Sequence, residues 1–336
     1  MTDYSPSLDE LRAFVDADID AFLLERTETL GEAQPLIEEI RRVVGLGGKR
    51  LRPAFCYWGY RAAGGVHRTG IVRIGTALEL LHTFALVHDD IMDEAETRRG
   101  EPSTHVVHDA HFALLVGDLA LVLADAAFDS VDLPDTACAA GFDVYTRMKQ
   151  EVIAGQFLDY EVARTGAISE ATARRIAMLK SGLYPVVEPL TIGATLGEAG
   201  SSTIETLRRF GAPLGEAFQL KDDLLGLFGR VDEVGKPVGS DVREGKRNLL
   251  YVWTRERLRG EERRDFESRW GAADLTESEI TTLTKIVDAS GARRDVETLL
   301  TQLAERSRAA LSALDAGDEV EAALSDLAEA AIDRLA

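Results

Sequence analysis

The chain has 336 residues, of which 45% are hydrophobic and 29% are charged, and it carries a net charge of −20 at pH 7. This composition without low-complexity tracts is typical of a folded globular protein with a buried core. So much negative charge repels nucleic acid and anionic membrane, so neither is an expected partner. Any anionic ligand must therefore bind where the chain is locally basic or loaded with metal ions.

The cysteines and the apolar segments indicate where the protein resides. The two cysteines, Cys56 and Cys138, form neither a disulfide framework nor a metal-ligand spacing. The N-terminal residues MTDYSPSLDELRAF are acidic and lack the apolar run of a signal peptide. The most apolar stretch, residues 112–128, is interrupted by Asp118 and Asp125, which favours a buried helix over a membrane span. We therefore expect a cytoplasmic protein with no membrane span.

Helical periodicity dominates the chain. The first segment, LDELRAFVDADIDAFLLERTETL, has apolar residues every three to four positions. No strand-like alternation of useful length and no fixed-period repeat occurs. The sequence therefore predicts an all-α protein, a bundle of ten or more helices in which residues 1–336 form one domain. Further helical segments are predicted, in chain order, near residues 68–93, 106–128, 136–161, 169–182, 201–229, 242–258, 276–290, 294–313 and 317–335.

The string HDDIMDEAETRRG follows an apolar helical run. On an ideal helix His82, Asp89 and Asp93 lie within about 20° of one line. Carboxylates at the C-terminal end of a helix oppose its dipole, a cost that a bound cation would offset, and hard oxygen ligands suit Mg²⁺. Arg98 and Arg99 follow in a predicted loop, where guanidinium groups can grip phosphate oxygens. The alternative is an acidic helix end with solvated arginines, and the spacing alone does not decide between the two.

The string FQLKDDLLGLFG repeats this arrangement late in another apolar helix. It contains Asp222 and Asp223, but Gly226 stands where the first motif has its third aspartate. Lys236 and Lys246 follow in a glycine-rich stretch, a pattern that predicts a phosphate clamp. Two aspartate pairs, each followed by basic residues, favour a site for metal and phosphate more strongly than either pair alone.

A third basic cluster lies in GLGGKRLRPAF. Its position is that of a helix N-terminus, with Pro53 in the first turn. Lys49, Arg50 and Arg52 would there crowd a helix start that attracts anions, so the structural and the functional interpretations are compatible.

Together these motifs resemble the trans-isoprenyl diphosphate synthase family. GGKRLRP, LLHTFALVHDDIMD followed by RRG, GQFLD, LKSG, FQLKDDLLG and GKPVGSDVREGK match that family in order and approximate spacing, over about residues 45–250. The resemblance implies a helical bundle of the isoprenoid synthase type around a central cavity. It also implies a homodimeric prenyltransferase that joins isopentenyl diphosphate to an allylic diphosphate such as dimethylallyl, geranyl or farnesyl diphosphate.

The resemblance further implies roles for individual residues. The metal ligands for three Mg²⁺ ions would be Asp89, Asp93 and Asp222, supported through metal-bound water by Asp90 and Asp223. The allylic diphosphate would be held by Arg98, Lys180, Ser181 and Lys236. Isopentenyl diphosphate would be held by Lys49, Arg52, His82 and Arg99. The reaction centre would be lined by Gln156, Asp159 and Gln219, and the side chain that closes over the diphosphate would be Lys246.

The implied reaction is ionisation of the allylic diphosphate, condensation with isopentenyl diphosphate and loss of a proton. Ala85 lies one turn before Asp89, where its small side chain would leave a tunnel for the product open. Phe84 lies about 140° from the line of Asp89, so geometry alone does not make it the floor, although the family has a chain-limiting aromatic residue at that place. An ordinary core phenylalanine explains Phe84 equally well. We expect the twenty-carbon geranylgeranyl diphosphate, with the fifteen-carbon farnesyl and twenty-five-carbon geranylfarnesyl products as alternatives.

Two other classes of protein share parts of this pattern. A class I terpene cyclase also uses an aspartate-rich motif in a helical bundle, but it needs no site for isopentenyl diphosphate, which GGKRLRP, His82 and Arg99 indicate. A non-catalytic partner subunit of another synthase would have lost metal ligands, whereas Asp89, Asp93 and Asp222 are all present.

Overall fold

The computed structural model of the protein describes residues 4–229 and 239–332. Lys236, which the sequence places in the phosphate clamp, lies outside the described residues. The described chain is almost entirely helical, with one two-stranded hairpin, so the predicted all-α class is confirmed. The α-helices are α1 (Leu8–Thr29), α2 (Gln34–Gly45), α3 (Leu51–Ala62), α4 (Thr69–Met92), α5 (Thr104–Val107), α6 (Ala110–Asp129), α7 (Asp135–Thr165), α8 (Glu170–Ile176), α9 (Glu188–Leu196), α10 (Ser201–Phe228), α11 (Ser240–Arg243), α12 (Leu249–Arg257), α13 (Gly260–Arg269), α14 (Glu277–Ala289), α15 (Ala292–Leu311) and α16 (Asp318–Ile332).

A 3₁₀ turn, a β-hairpin and a π-helix complete the secondary structure of the described residues. A 3₁₀ turn (Gly31–Ala33) connects α1 to α2, and β1 (Thr97–Arg98) pairs antiparallel with β2 (Glu101–Pro102). Between α8 and α9 the chain continues as a π-helix, Ala177–Val187. The sequence predicted neither the hairpin nor the π-helix, because both are too short or too irregular to give a periodic pattern.

The sequence predicted only the start of α3, with Pro53 in its first turn, and did not predict α2, α9 or α13. Burial does not explain the miss of α2, because its apolar residues recur at helical spacing, but α3, α9 and α13 lack that signal. Every residue of α3 except Arg52 is buried, and α9 is buried almost throughout. A helix that is covered on all sides shows no alternation of apolar and polar faces, so periodicity cannot reveal it. Exposed α13 fails for the opposite reason, because Phe266 is the one buried residue among its ten.

The described chain divides into two compact units. The first unit comprises Met1–Tyr145, Glu188–Leu207 and Leu314–Leu327, and the second comprises Thr146–Val187, Arg208–Ala313 and Ala328–Ala336. The expectation of one domain over the whole chain stays a prediction.

In the first unit α3 packs directly against α9 through glycines. A Cβ atom at Gly193 would lie 1.8 Å from the carbonyl oxygen of Cys56, and one at Gly59 would lie 2.3 Å from that of Leu190. The two backbones therefore touch, and no other residue fits at either position.

The long apolar helices α4 and α6 pack against each other in the same unit. Both are long and apolar enough to cross a membrane, with 72% and 44% of their most apolar windows buried inside the protein. Burial of α4 on that scale is typical of a core helix, and this helix carries the first aspartate motif at its C-terminal end. On α6, by contrast, a row of apolar side chains stays exposed.

In the second unit the C-terminal part of α10 belongs to an apolar core shared with α12 to α15. Tyr251 and Phe266 stack at 5.4 Å between ring centroids, and Trp270 packs against both rings. This aromatic cluster lies directly beneath the chain segment that carries Lys246, because the indole Nε1 of Trp270 donates a hydrogen bond to the carbonyl oxygen of Lys246 at 2.9 Å.

Candidate active site

The first aspartate motif lies at the C-terminal end of α4. Asp93 is the C-cap residue of this helix, and its backbone N–H donates to the carbonyl oxygen of Asp89 at 2.8 Å. Asp89 and Asp93 are thus one helical turn apart, and both are partly exposed. His82 further back on the same helix is also partly exposed, whereas Asp90 is buried. The helix therefore places Asp89 and Asp93 toward solvent and Asp90 toward the protein interior.

Asp90 has a protein partner, Arg98. The Nε of Arg98 donates to the Oδ1 of Asp90 at 3.0 Å, and its Nη2 donates to the same carboxylate. Burial lowers the pKa of the Arg98 guanidinium, but the hydrogen bonds and charge of Asp90, with the charges of Asp89 and Asp93, outweigh that effect and raise it. Asp90 thus holds Arg98 in place next to the two exposed carboxylates.

The hairpin that follows points its two arginines in different directions. Arg98 pairs with Glu101 across the hairpin, so Arg99 and Gly100 form its two-residue turn, with φ angles of 54° and 82°. Positive φ at both positions defines the type I′ turn that fits the twist of a β-hairpin. A left-handed arginine is strained, because its Cβ crowds the backbone.

Arg99 lies against the glycine turn of the basic cluster GLGGKRLRPAF. A Cβ atom at Gly48 would be 3.3 Å from Nη2 of Arg99, and Gly48 itself has a φ of +146°. This contact brings Arg99 to the segment that carries Lys49, which is exposed, and Arg52, which is partly exposed.

The three basic residues of that segment are of two kinds. Arg50 is buried at the N-terminus of α3, where it forms ion pairs of 2.7 Å with both Asp16 and Glu79. It therefore anchors α3 to its neighbours, and Lys49 and Arg52 remain the candidates for binding an anion. Nothing in the sequence separates Arg50 from these two, because its partners lie 34 and 29 residues away along the chain.

A buried glutamate, which the sequence gave no reason to select, anchors the segment after the hairpin. Glu39 of α2 accepts hydrogen bonds from Arg42 at 2.6 and 2.8 Å and from the hydroxyl of Thr104 at 2.7 Å. Burial raises the pKa of Glu39, but these hydrogen bonds outweigh that effect, so its pKa lies below the usual value. The segment that follows the two arginines is therefore fixed to α2.

Phe84, the predicted chain-length residue, packs edge-on against His88 with 4.8 Å between ring centroids. The Nε2 of His88 lies 3.2 Å from the carbonyl oxygen of Leu114, and a Cβ atom at Gly117 would lie 2.2 Å from the same nitrogen. His88 therefore occupies a notch in α6 that exists only because residue 117 is glycine. Ala85, the other predicted chain-length residue, is partly exposed beside Phe84.

The second aspartate motif lies near the C-terminal end of α10. Asp222 is exposed and Asp223 is buried, so this motif also divides into an outward and an inward carboxylate. Burial raises the pKa of Asp223 well above its usual value, and the negative charges of Asp241 and Asp222 add to the effect. Gln219, predicted to line the reaction centre, donates to Asp223 at 2.7 Å.

Asp241, which the sequence analysis did not select, lies at the position of the missing aspartate. A Cβ atom at Gly226 would be 2.3 Å from the Oδ1 of Asp241. The Oδ2 of Asp241 accepts from the side-chain amide of Asn248 at 3.1 Å, and its Oδ1 lies 3.8 Å from the Nζ of Lys246. The Nζ of Lys246 also forms a 2.8 Å ion pair with Glu244.

Lys180 lies in the π-helix, where it forms a 2.9 Å ion pair with Asp159 of α7. This π-helix packs closely against α7 and α10. A Cβ atom at Gly155 of α7 would lie 2.8 Å from the backbone nitrogen of Lys180, and one at Gly215 of α10 would lie 2.2 Å from the carbonyl oxygen of Gly182. π-helical turns occur frequently at functional sites. Gln156 and Ser181 are both partly buried in the same unit.

The donor set fits a hard divalent cation that is completed by other ligands. Among residues 4–229 and 239–332, no group of three or more histidine, cysteine, aspartate or glutamate side chains is arranged to hold a metal ion by itself. Asp89, Asp93 and Asp222 nevertheless offer carboxylate oxygens that are partly or fully exposed. Mg²⁺ is normally bound by one or two protein carboxylates, with water and substrate phosphates supplying the remaining ligands. Asp89 and Asp93 in the first unit, and Asp222 in the second, therefore each fit Mg²⁺ that is bound together with a phosphate-containing ligand.

Comparison with known proteins agrees with this geometry. The family model described as "Polyprenyl synthetase" matches residues 34–287. The chain is 34% identical over 267 residues to geranylgeranyl diphosphate synthase from Sulfolobus acidocaldarius, covering 76% of this chain and 78% of that one. It is 32% identical over 283 residues to geranylfarnesyl diphosphate synthase from Aeropyrum pernix, covering 82% and 86%.

A solved structure also matches over nearly the full length. The crystal structure of geranylgeranyl pyrophosphate synthase from Corynebacterium glutamicum, complexed with isoprenyl diphosphate and magnesium, superposes with a TM-score of 0.94 at 31% identity and covers 98% of this chain and 100% of that one. The chain therefore belongs to the polyprenyl synthetase family and has the isoprenoid synthase fold. The protein is accordingly an enzyme, a prenyltransferase, as the sequence motifs predicted.

Proposed function

We propose that this prenyltransferase condenses isopentenyl diphosphate with allylic diphosphates to make geranylgeranyl diphosphate. One observation carries the proposal: the side chains of the two adjacent arginines of the hairpin lie against two different segments of the chain. Arg98 is held by Asp90 beside the aspartates of α4, whereas Arg99 lies against Gly48, in the segment that carries Lys49. Two separate basic neighbourhoods suit an enzyme that binds two diphosphates at once, and they argue against a terpene cyclase, which needs one.

The cofactor proposed is Mg²⁺, with three ions per site and with Asp89, Asp93 and Asp222 as its protein ligands. Bound Mg²⁺ would neutralise the charge that develops on the departing diphosphate and so favour ionisation. The magnesium in the Corynebacterium glutamicum structure supports this assignment.

The chain's own cations would serve the same purpose at fixed positions. Arg98 and Lys180 are each oriented by a carboxylate, Asp90 and Asp159, so each can donate to a diphosphate oxygen without first being ordered. Lys246 would close over the diphosphate. Lys49, Arg52, His82 and Arg99 would hold isopentenyl diphosphate, whose double bond attacks the allylic carbon. The proton lost afterwards would leave with the diphosphate, since no side chain among residues 4–229 and 239–332 stands out as a dedicated base.

Product length is proposed to be set at Phe84. Relatives named for the twenty-carbon and the twenty-five-carbon products are almost equally similar to this chain, so likeness alone does not choose between them. Phe84 is wedged against His88, and Ala85 beside it leaves room for the chain to pass. We expect Phe84→Ala to shift the product toward longer chains, and an unchanged product would remove Phe84 as the floor.

The protein is further proposed to act as a cytoplasmic homodimer of one-domain subunits. Leu114, Leu115 and Val122 on α6 are 44%, 54% and 63% exposed in the single chain. An apolar row of this kind on a helix marks an interaction surface. We expect Val122→Arg to convert a dimer into a monomer in light scattering, and a wild-type protein that is monomeric at micromolar concentration would contradict the assignment.

The deciding experiment incubates purified protein with labelled isopentenyl diphosphate, an allylic starter and Mg²⁺. A chain-extended diphosphate supports the proposal, and its length, measured after dephosphorylation, identifies the product. A hydrocarbon would instead indicate a cyclase, and no product would indicate a non-catalytic subunit. Asp89→Ala serves as the control, because it should abolish condensation while the protein stays folded.

A further inference from the structure

The two aspartate motifs differ in one respect that the structure explains. The first motif has Asp93 four residues after Asp89, whereas the second has Gly226 four residues after Asp222. Gly226 is buried, and the atoms nearest to a Cβ built on it all belong to Asp241, at 2.3, 2.4 and 2.5 Å. The carboxylate that α10 lacks is thus supplied by a residue fifteen positions later in the chain.

Asp241 begins a tightly fixed segment, the Lys246 turn, defined here as residues 241–248. The backbone N–H of Lys246 donates to the carbonyl oxygen of Asp241 at 2.9 Å, and the side chain of Asn248 donates to the carboxylate. Asp241, the first residue of this segment, therefore contacts residues near its other end, and the carboxylate of Asp241 also reaches α10.

The opposite side of the Lys246 turn is equally constrained. Trp270 donates to the carbonyl oxygen of Lys246. A Cβ atom at Gly271 would lie 2.6 Å from the Cα of Gly245, and the N–H of Gly271 donates to Val242 at 3.0 Å. With the aromatic cluster on one side and α10 on the other, the position of the Lys246 backbone depends on whether Asp241 fits against Gly226, while Glu244 pairs with the ammonium group at 2.8 Å.

We propose that Asp241 is a positioning residue of this enzyme: its carboxylate occupies the space that Gly226 leaves on α10 and thereby fixes the Lys246 turn against that helix. On this proposal the second motif requires glycine at position 226, because any side chain there would exclude the Asp241 carboxylate. The proposal rests on the proposed function only in that Lys246 is taken to contact the diphosphate.

The test moves the carboxylate from one chain segment to the other. Asp241→Ala removes it, and Gly226→Ala fills its place with a methyl group without removing any polar atom. Both variants should lose about tenfold in kcat/KM, the size expected when one hydrogen bond to a charged group is lost, mainly through KM for the allylic diphosphate. The double variant Gly226→Asp with Asp241→Ala places the carboxylate on the helix instead and should recover most of that loss.

Gly200→Ala is the matched control, because a Cβ atom there meets nothing within 4 Å. Hydrogen exchange of a peptide that spans the Lys246 turn provides a readout that needs no turnover. We expect faster exchange in Asp241→Ala and in Gly226→Ala, and exchange close to that of the wild type in the double variant.

The outcomes separate the inference from the proposed function. Unchanged exchange in Asp241→Ala, or faster exchange with unchanged kinetics, would overturn the positioning role. A double variant no better than Asp241→Ala would show that the position of the carboxylate is not what matters, and would also overturn it. A wild-type protein that forms no prenyl product would refute the proposed function alone, because the exchange measurement still decides the fit of Asp241 against Gly226. If the alanine variant fails to fold, the same measurements are made on Asp241→Asn, which keeps an acceptor for Asn248 but removes the negative charge.

Discussion

Replacing Asp90 by alanine tests whether this residue acts through Arg98. Its carboxylate is 5% exposed and the Arg98 side chain is 20% exposed, so the pair is largely shielded from water. Removing one partner leaves the other charge buried without compensation, which costs about 3 kcal/mol in such settings. The free energy of unfolding typically falls by about 1 to 3 kcal/mol per molar urea, so that loss lowers the unfolding midpoint of this part of the chain by about 1 to 3 M. Condensation should also slow, because Arg98 would no longer be held beside Asp89 and Asp93.

Two comparisons decide whether this reasoning is correct. If Asp90 works by orienting Arg98, then Asp90→Ala should add almost nothing to the kinetic defect of Arg98→Ala, because the two residues form one unit. If Asp90 instead supports metal ions through bound water, the two defects should multiply. A denaturation midpoint within about 0.3 M of the wild type would refute the stability argument, since it corresponds to a loss below about 1 kcal/mol.

Two further changes give distinct expected results. Glu39→Gln should lower the urea midpoint most above pH 5. The pKa of Glu39 is lowered from 4.5, so its stabilising effect is complete above that value and is lost as the pH falls through the lowered pKa. The difference from the wild type should therefore shrink as the pH falls below 4.5, and a pH-independent difference would contradict the assignment. Gly117→Ala should push His88 toward Phe84 and change the proportions of the chain lengths formed, measured by chromatography of the dephosphorylated products; identical proportions would exclude the notch as a determinant.

The sequence was informative wherever a feature depends on residues close together in the chain. Asp89 and Asp93 are one turn apart on a helix, so their shared exposure follows from spacing alone. Most of the amphipathic helices were predicted for the same reason, since their apolar residues recur at a fixed interval, although α2, which has the same pattern, was missed. Only the start of α3 was predicted, from Pro53, and its extent was not, because a helix buried on all sides has no such interval.

Features that depend on distant residues could not be predicted in this way. Glu39 resembles any glutamate on an exposed helix face until Thr104, 65 residues later, is placed against it. The fit of Asp241 against Gly226 likewise depends on how two segments pack, and from the sequence Gly226 registers only as a missing aspartate. Asp90 was identified as part of its motif, but only the structure gives it Arg98 as a partner.

The left-handed arginine in the hairpin has a consequence for attempts to stabilise this enzyme. A type I′ turn favours asparagine, aspartate or glycine where Arg99 stands, and a left-handed non-glycine residue costs about 1 kcal/mol or more. Directed evolution for heat resistance, or statistical design from preferred turn residues, would therefore select replacements at this position early. Such variants would fold better while losing the side chain proposed to hold isopentenyl diphosphate, so a screen based on thermal survival alone would enrich inactive proteins. Residue 99 should be kept fixed in any such library.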